Sequence, residues 1–247
     1  MSRSQLARAL SPVLAAAALL SLAAGDAAAA GGKGGDVLQP LGCAGCHLLT
    51  APPDEQRTLA AYAKRKGPDL FYAGSKYRDE WLRDWLARPR PIRPAGLHPA
   101  ERTTTGASGD AVGGAAEPDA HPAVPAAKVD AVASALLRLD WGKEKLPAKE
   151  PEAARVPRPL AELNFVKFKG CGSCHRTSDD AAPLSGPDLD DAFVRLRPEF
   201  LASFIANPQA WDPVAPMPNY ALPEAEVAKL VAYLRILSEE NDVASAH

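Results

Sequence analysis

The stretch CGSCH at residues 171–175 decides how the rest of the chain is read, because CAGCH at 43–47 has the same form. These two pentads hold all four cysteines of the 247-residue chain. Four cysteines invite several readings. Two disulfides, a thioredoxin-like dithiol and a zinc site are each conceivable for paired thiols in an exported chain. Yet each pair is followed at once by a histidine, and the chain has only five histidines. A zinc site would need the two pairs to converge on one metal, and its four thiolates would leave the histidines redundant.

Cys-x-x-Cys-His is the attachment pattern of a c-type haem. Two thiols so close on one turn can form thioethers to the two vinyl groups. The next residue then supplies an imidazole to the iron. On this reading Cys43, Cys46, Cys171 and Cys174 bind two covalent haems, and His47 and His175 are iron ligands.

The likeness between the halves runs beyond the pentads. GPDLFYAGSKYRDEWLRDWLARPRPIRPAGLHP at 67–99 aligns without a gap with GPDLDDAFVRLRPEFLASFIANPQAWDPVAPMP at 186–218, at a constant offset of 119. GPDL meets GPDL, Trp81 meets Phe200, Trp85 meets Phe204, and Pro89 meets Pro208. An internal repeat of this length indicates duplication of a whole domain. It sets His98-Pro99 opposite Met217-Pro218, and Met217 is the only methionine besides Met1.

A Met–Pro downstream of Cys-x-x-Cys-His resembles the sixth-ligand loop of class I cytochromes c. The resemblance covers roughly residues 33–140 and 155–240, and is carried by the pentads, the GPDL segments and that loop. It implies an all-α fold of two tandem domains, each a few helices wrapped around one haem. It implies that the carbonyls of Pro68 and Pro187 accept the Nδ1–H of His47 and His175, which fixes the tautomer and raises ligand basicity. It gives the second iron His175 and Met217. The gapless alignment gives the first His47 and His98; His121, a lysine or an open position are the rivals.

Helical spacing supports this layout. Trp81/Trp85 and Leu82/Leu86 stand at i,i+4, as do Phe200/Phe204 and Leu201/Ile205, and Pro89 and Pro208 stop both runs. A closing helix is expected from Pro223 with Val227, Leu230, Val231 and Leu234, and its counterpart at 128–139. The segment around 100–125 is rich in Gly, Ala and Thr, lacks an apolar period, and reads as an inserted mobile loop. The path from His47 to Gly67 is longer than that from His175 to Gly186. Residues 141–159 are Pro-rich and charged and read as an extended linker. The expected organisation is a signal peptide at 1–30, a first domain at 31–140, the linker, and a second domain at 160–247.

Arg3 and Arg8 before an apolar, Ala-rich run fit a cleaved secretory signal, with no further span for a membrane and retention as an anchor the alternative. Lys+Arg 28 against Asp+Glu 30 argues against a nucleic-acid partner. The expected function is single-electron transfer between redox partner proteins in the periplasm or another extracytoplasmic space. Electrons would pass from a bis-His haem of low potential to a His/Met haem of high potential. Basic residues concentrate at 64–102, ten against five acids, whereas residues from 141 on hold twelve against sixteen. That polarity could orient the donor or acceptor, a respiratory complex among them. The alternative is a two-haem peroxidase-like enzyme with a displaceable histidine at the first haem.

Overall fold

In the computed structural model, the described residues are 35–93, 95–101, 103–106, 109–112, 121–151, 154–177 and 185–245. The expected signal sequence and His247 lie outside them. The first short helix is α1 (Gly35–Leu38), whose Leu38 enters the core. Thr58 caps α2 (Leu59–Tyr62) by accepting from Ala61 N. After GPDL come α3 (Ala73–Lys76) and α4 (Asp79–Ala87), which buries Trp81, Leu82 and Leu86 on one face. Arg83 binds Asp79 one turn back. The first half closes with α5 (Ala126–Leu137), whose Val129, Val132 and Leu136 are buried.

The second half opens with α6 (Arg158–Leu163), continued by a wider π turn at Asn164–Phe168. Then α7 (Ala192–Arg195) and α8 (Pro198–Ala206) follow, each beginning and ending 119 residues after α3 and α4. Pro198 sits at the start of α8, where a missing N–H costs nothing. A short α9 (Pro208–Trp211) leads to the long α10 (Glu224–Ser245), which buries Val227, Leu230, Val231, Leu234 and Leu237.

The helical class expected from sequence describes the core, with one addition. Thr103–Gly106 and Gly109–Val112 pair as an antiparallel hairpin, Thr103 opposite Val112. The apolar period missing from this insertion says nothing against such a ribbon, because a hairpin is held by backbone pairing, which needs no buried face.

The halves meet at a reciprocal contact. Tyr77 and Leu196 form an antiparallel bridge. Arg78 N donates to Arg195 O at 3.1 Å, and Arg197 N donates to Lys76 O at 2.9 Å. All three pairs of equivalent positions are 119 residues apart, so each hydrogen bond is the counterpart of the other. The Arg78 side chain reinforces the seam by donating to Phe193 O and Leu196 O. Tyr72 stacks on Phe200 with ring centroids 6.1 Å apart.

The segment expected to be an extended linker is docked along its first residues. Trp141 packs edge-on against Phe71 and Trp211. Lys145 lies 3.7 Å over the Trp141 ring and donates to Ala210 O, while its own carbonyl accepts from Ser203. Proline and charge fit an extended spacer, but the indole buries more apolar area than that composition suggests.

Arg65 crosses between the halves as well. Its guanidinium binds Asp212 at 2.6 Å and Asp69 at 3.2 Å, and Asp69 is almost wholly buried. Burial pushes the Asp69 carboxyl above its ordinary range, against the pull of Arg65. Removing the cation strands two carboxylates away from water. Arg65→Met is therefore expected to destabilise the protein by about 3–5 kcal/mol at neutral pH. The deficit should shrink as acid protonates the buried Asp69, since a neutral carboxyl needs no counter-charge. Urea melts of both proteins across pH 4–8 measure it, and a deficit independent of pH contradicts the assignment.

Candidate functional site

Both pentads fold the same way. Gly42 and Gly170 precede them with φ of 71° and 66°, a left-handed conformation that glycine adopts without strain. Each then enters a tight turn, Cys43–Gly45 or Cys171–Ser173. His47 N and His175 N donate to the carbonyls of Cys43 and Cys171, both at 3.0 Å. The turn thus carries two thiols and an imidazole on consecutive corners. All four cysteines are free, Cys46 and Cys174 exposed and their partners half-buried. Burial pushes the Cys43 and Cys171 thiols up.

The GPDL segments return to each histidine. His47 Nδ1 donates to Pro68 O at 2.7 Å, and His175 Nδ1 donates to Pro187 O at 2.9 Å. With the proton held at Nδ1, the Nε2 lone pair is left for a metal. Burial also holds His175 below its ordinary pKa, which favours the neutral ring that ligates.

The glycine before each proline has a steric reason. A Cβ on Gly67 would lie 2.5 Å from His47 Cε1, and one on Gly186 would lie 2.6 Å from His175 Nδ1. Backbone pairing sets the loops: Leu70 N donates to Leu48 O, and Leu189 N to Arg176 O. In the second half Arg176 also clamps Asp188 through two hydrogen bonds of 2.9 and 2.7 Å. The first half takes its longer path through Arg57, whose buried guanidinium lies over Phe71 and Trp141 and donates to Trp211 O.

Other predicted ligands stand as follows. Met217 is half-buried in the loop between α9 and α10, where Gln209 Nε2 donates to its carbonyl at 2.8 Å. His98 is engaged by the α2 region: Nε2 donates to Arg65 O at 3.0 Å, and its ring meets Tyr62 edge-on at 5.3 Å. The ring standing against His47 belongs to His121, with centroids 6.0 Å apart and planes inclined by 46°. Trp85 packs against the same ring at 4.8 Å. The nitrogen Nδ1 of His121 is buried without a hydrogen-bond partner. Burial, then the neighbouring His47, hold its pKa below the ordinary value.

The donors fit a haem. Paired free thiols stand beside an imidazole whose Nδ1 is tied and whose Nε2 makes no hydrogen bond among the described residues. Among the described residues no cluster of three or more His, Cys, Asp or Glu could hold a metal ion by itself. The two cysteine pairs therefore do not converge as a shared zinc site would require.

Among family models, Cytochrome c matches residues 165–238. No curated protein and no solved structure matches the chain. The matched span contains the second pentad, Pro187, Met217 and most of α10. The chain thus carries a cytochrome c domain at residues 165–238, a domain that implies a covalently bound c-type haem.

Proposed function

We propose that the chain is a two-haem c-type cytochrome that passes single electrons between redox partner proteins outside the cytoplasm. The observation that carries this reading is the repeated imidazole arrangement: His47 on Pro68 and His175 on Pro187, each behind the same cysteine turn. The equal offset of α3/α7 and α4/α8 supports two tandem cytochrome-like domains, the first outside the matched span. The Arg-containing, apolar start of the sequence supports export to the periplasm.

When bound, each haem supplies a one-electron Fe(III)/Fe(II) couple. Cys43, Cys46, Cys171 and Cys174 would tether the groups, and His47 and His175 would each supply an imidazole to an iron. Pro68 and Pro187 orient those imidazoles and make them better donors. Met217, as a thioether ligand of the second site, would raise its potential; a second imidazole at the first site would lower that one. This asymmetry favours conduction from the first half to the second. The seam at Tyr77 and Leu196 holds the two halves in one fixed relation, which a relay between them needs.

The reading is tested by counting covalent haem. The purified mature protein is expected to give two haems per chain by pyridine haemochrome, and the double variant Cys43→Ala/Cys46→Ala one. A single haem in the parent protein refutes the proposal. Gly186→Ala is expected to push the His175 ring from its place, because the new methyl and the imidazole cannot share 2.6 Å. Electron paramagnetic resonance (EPR) of the oxidised variant should lose the low-spin signal of one haem and keep that of the other. Two unchanged low-spin signals count against the described packing.

A further inference from the structure

We infer that His121 is the sixth ligand of the first haem, opposite His47. The inference rests on the two-haem reading and names the residue that completes its first site.

Distance is the leading argument. A metal–imidazole bond is about 2 Å, so two imidazoles on one iron hold their ligating nitrogens about 4 Å apart. Adding the offset from nitrogen to ring centre on each side gives roughly 6 Å between centroids. His47 and His121 stand 6.0 Å apart. That separation leaves room for an iron between the two imidazoles.

Positioning is the second argument. Val124 N donates to Leu86 O at 2.8 Å and ties the strap after His121 to the end of α4. Trp85, on the same helix, packs against the imidazole at 4.8 Å. Prolines at 122 and 125 restrict the strap further. The ring is thus held by its neighbours, while its buried Nδ1 finds no hydrogen-bond partner among the described residues. His98, by contrast, donates Nε2 to Arg65 O and packs on Tyr62. Its ring is committed to the α2 region.

The sequence contains a matching signal. His121 is followed by Pro122, so the chain has two His–Pro pairs in the first half. Counted back from the closing helix, His121 lies five residues before Ala126, and Met217 lies seven before Glu224. His98 lies 28 residues before Ala126. The hairpin insertion falls between the two histidines, so it separates His98 from the closing helix and leaves His121 in the position of Met217.

The test compares His121→Ala and His98→Ala in the mature protein, after pyridine haemochrome has confirmed two haems in each. Reduced His121→Ala is expected to bind carbon monoxide at one of its two haems. Its oxidised form should lose one of two low-spin EPR signals, and added imidazole should restore it. His98→Ala should match the parent in both measurements. As a variant that keeps a ligand in place, His121→Met should raise the lower of the two midpoint potentials and leave the other unchanged. Carbon monoxide binding by His98→Ala with none by His121→Ala overturns the assignment. So does silence of both variants, or a His121→Met protein whose lower potential is unmoved. A parent protein with fewer than two haems defeats the two-haem reading itself.

Discussion

A proline carbonyl fixing the proton of a histidine is the constraint around which each half is arranged. The hydrogen bond asks for little in sequence, but it dictates the neighbourhood. The loop must come back within 3 Å of Nδ1, so the residue before the proline has to be glycine. The turn that presents the imidazole must enter from a left-handed residue. The helices that follow, α3 and α4 in one half and α7 and α8 in the other, start from the returned loop and carry its geometry into the core. An imidazole so held has one free nitrogen pointing away from the backbone that orients it.

The two copies of this arrangement are not finished alike. The second half closes its loop locally, with Arg176 on Asp188 beside His175. The first half uses a longer excursion, and its basic residues reach across to the other half: Arg57 to the Trp211 carbonyl, Arg65 to Asp212. The same Asp of GPDL is therefore a clamp in one place and a buried member of a cross-half ion network in the other. Docking of Trp141 and Lys145 into that region packs the start of the passage between the halves against the core.

Much of this was legible from residue type and spacing. Haem attachment fixes the distance between two thiols and an imidazole, so the pentads can be read without a fold. The i,i+4 aromatics at Trp81/Trp85 and Phe200/Phe204, with prolines behind them, mark α4 and α8. What could not be read from the gapless alignment was which histidine, on which side of the insertion, comes to stand against His47. Alignment from the left favours His98, whereas the structure sets His121 against His47. The hairpin was hidden because a two-stranded ribbon leaves no apolar period. Docking of the 141–146 segment was hidden because composition averages over residues, and here one indole outweighs several prolines and charges.

The reciprocal bridge at Tyr77 and Leu196 has a further meaning. An edge that pairs with its own equivalent is self-complementary, the condition for an isologous dimer. Placing both edges on one polypeptide replaces an encounter between separate molecules with ring closure, at an effective concentration set by the intervening chain. Dilution cannot then part the two edges, and their stoichiometry is fixed at one to one by the act of translation.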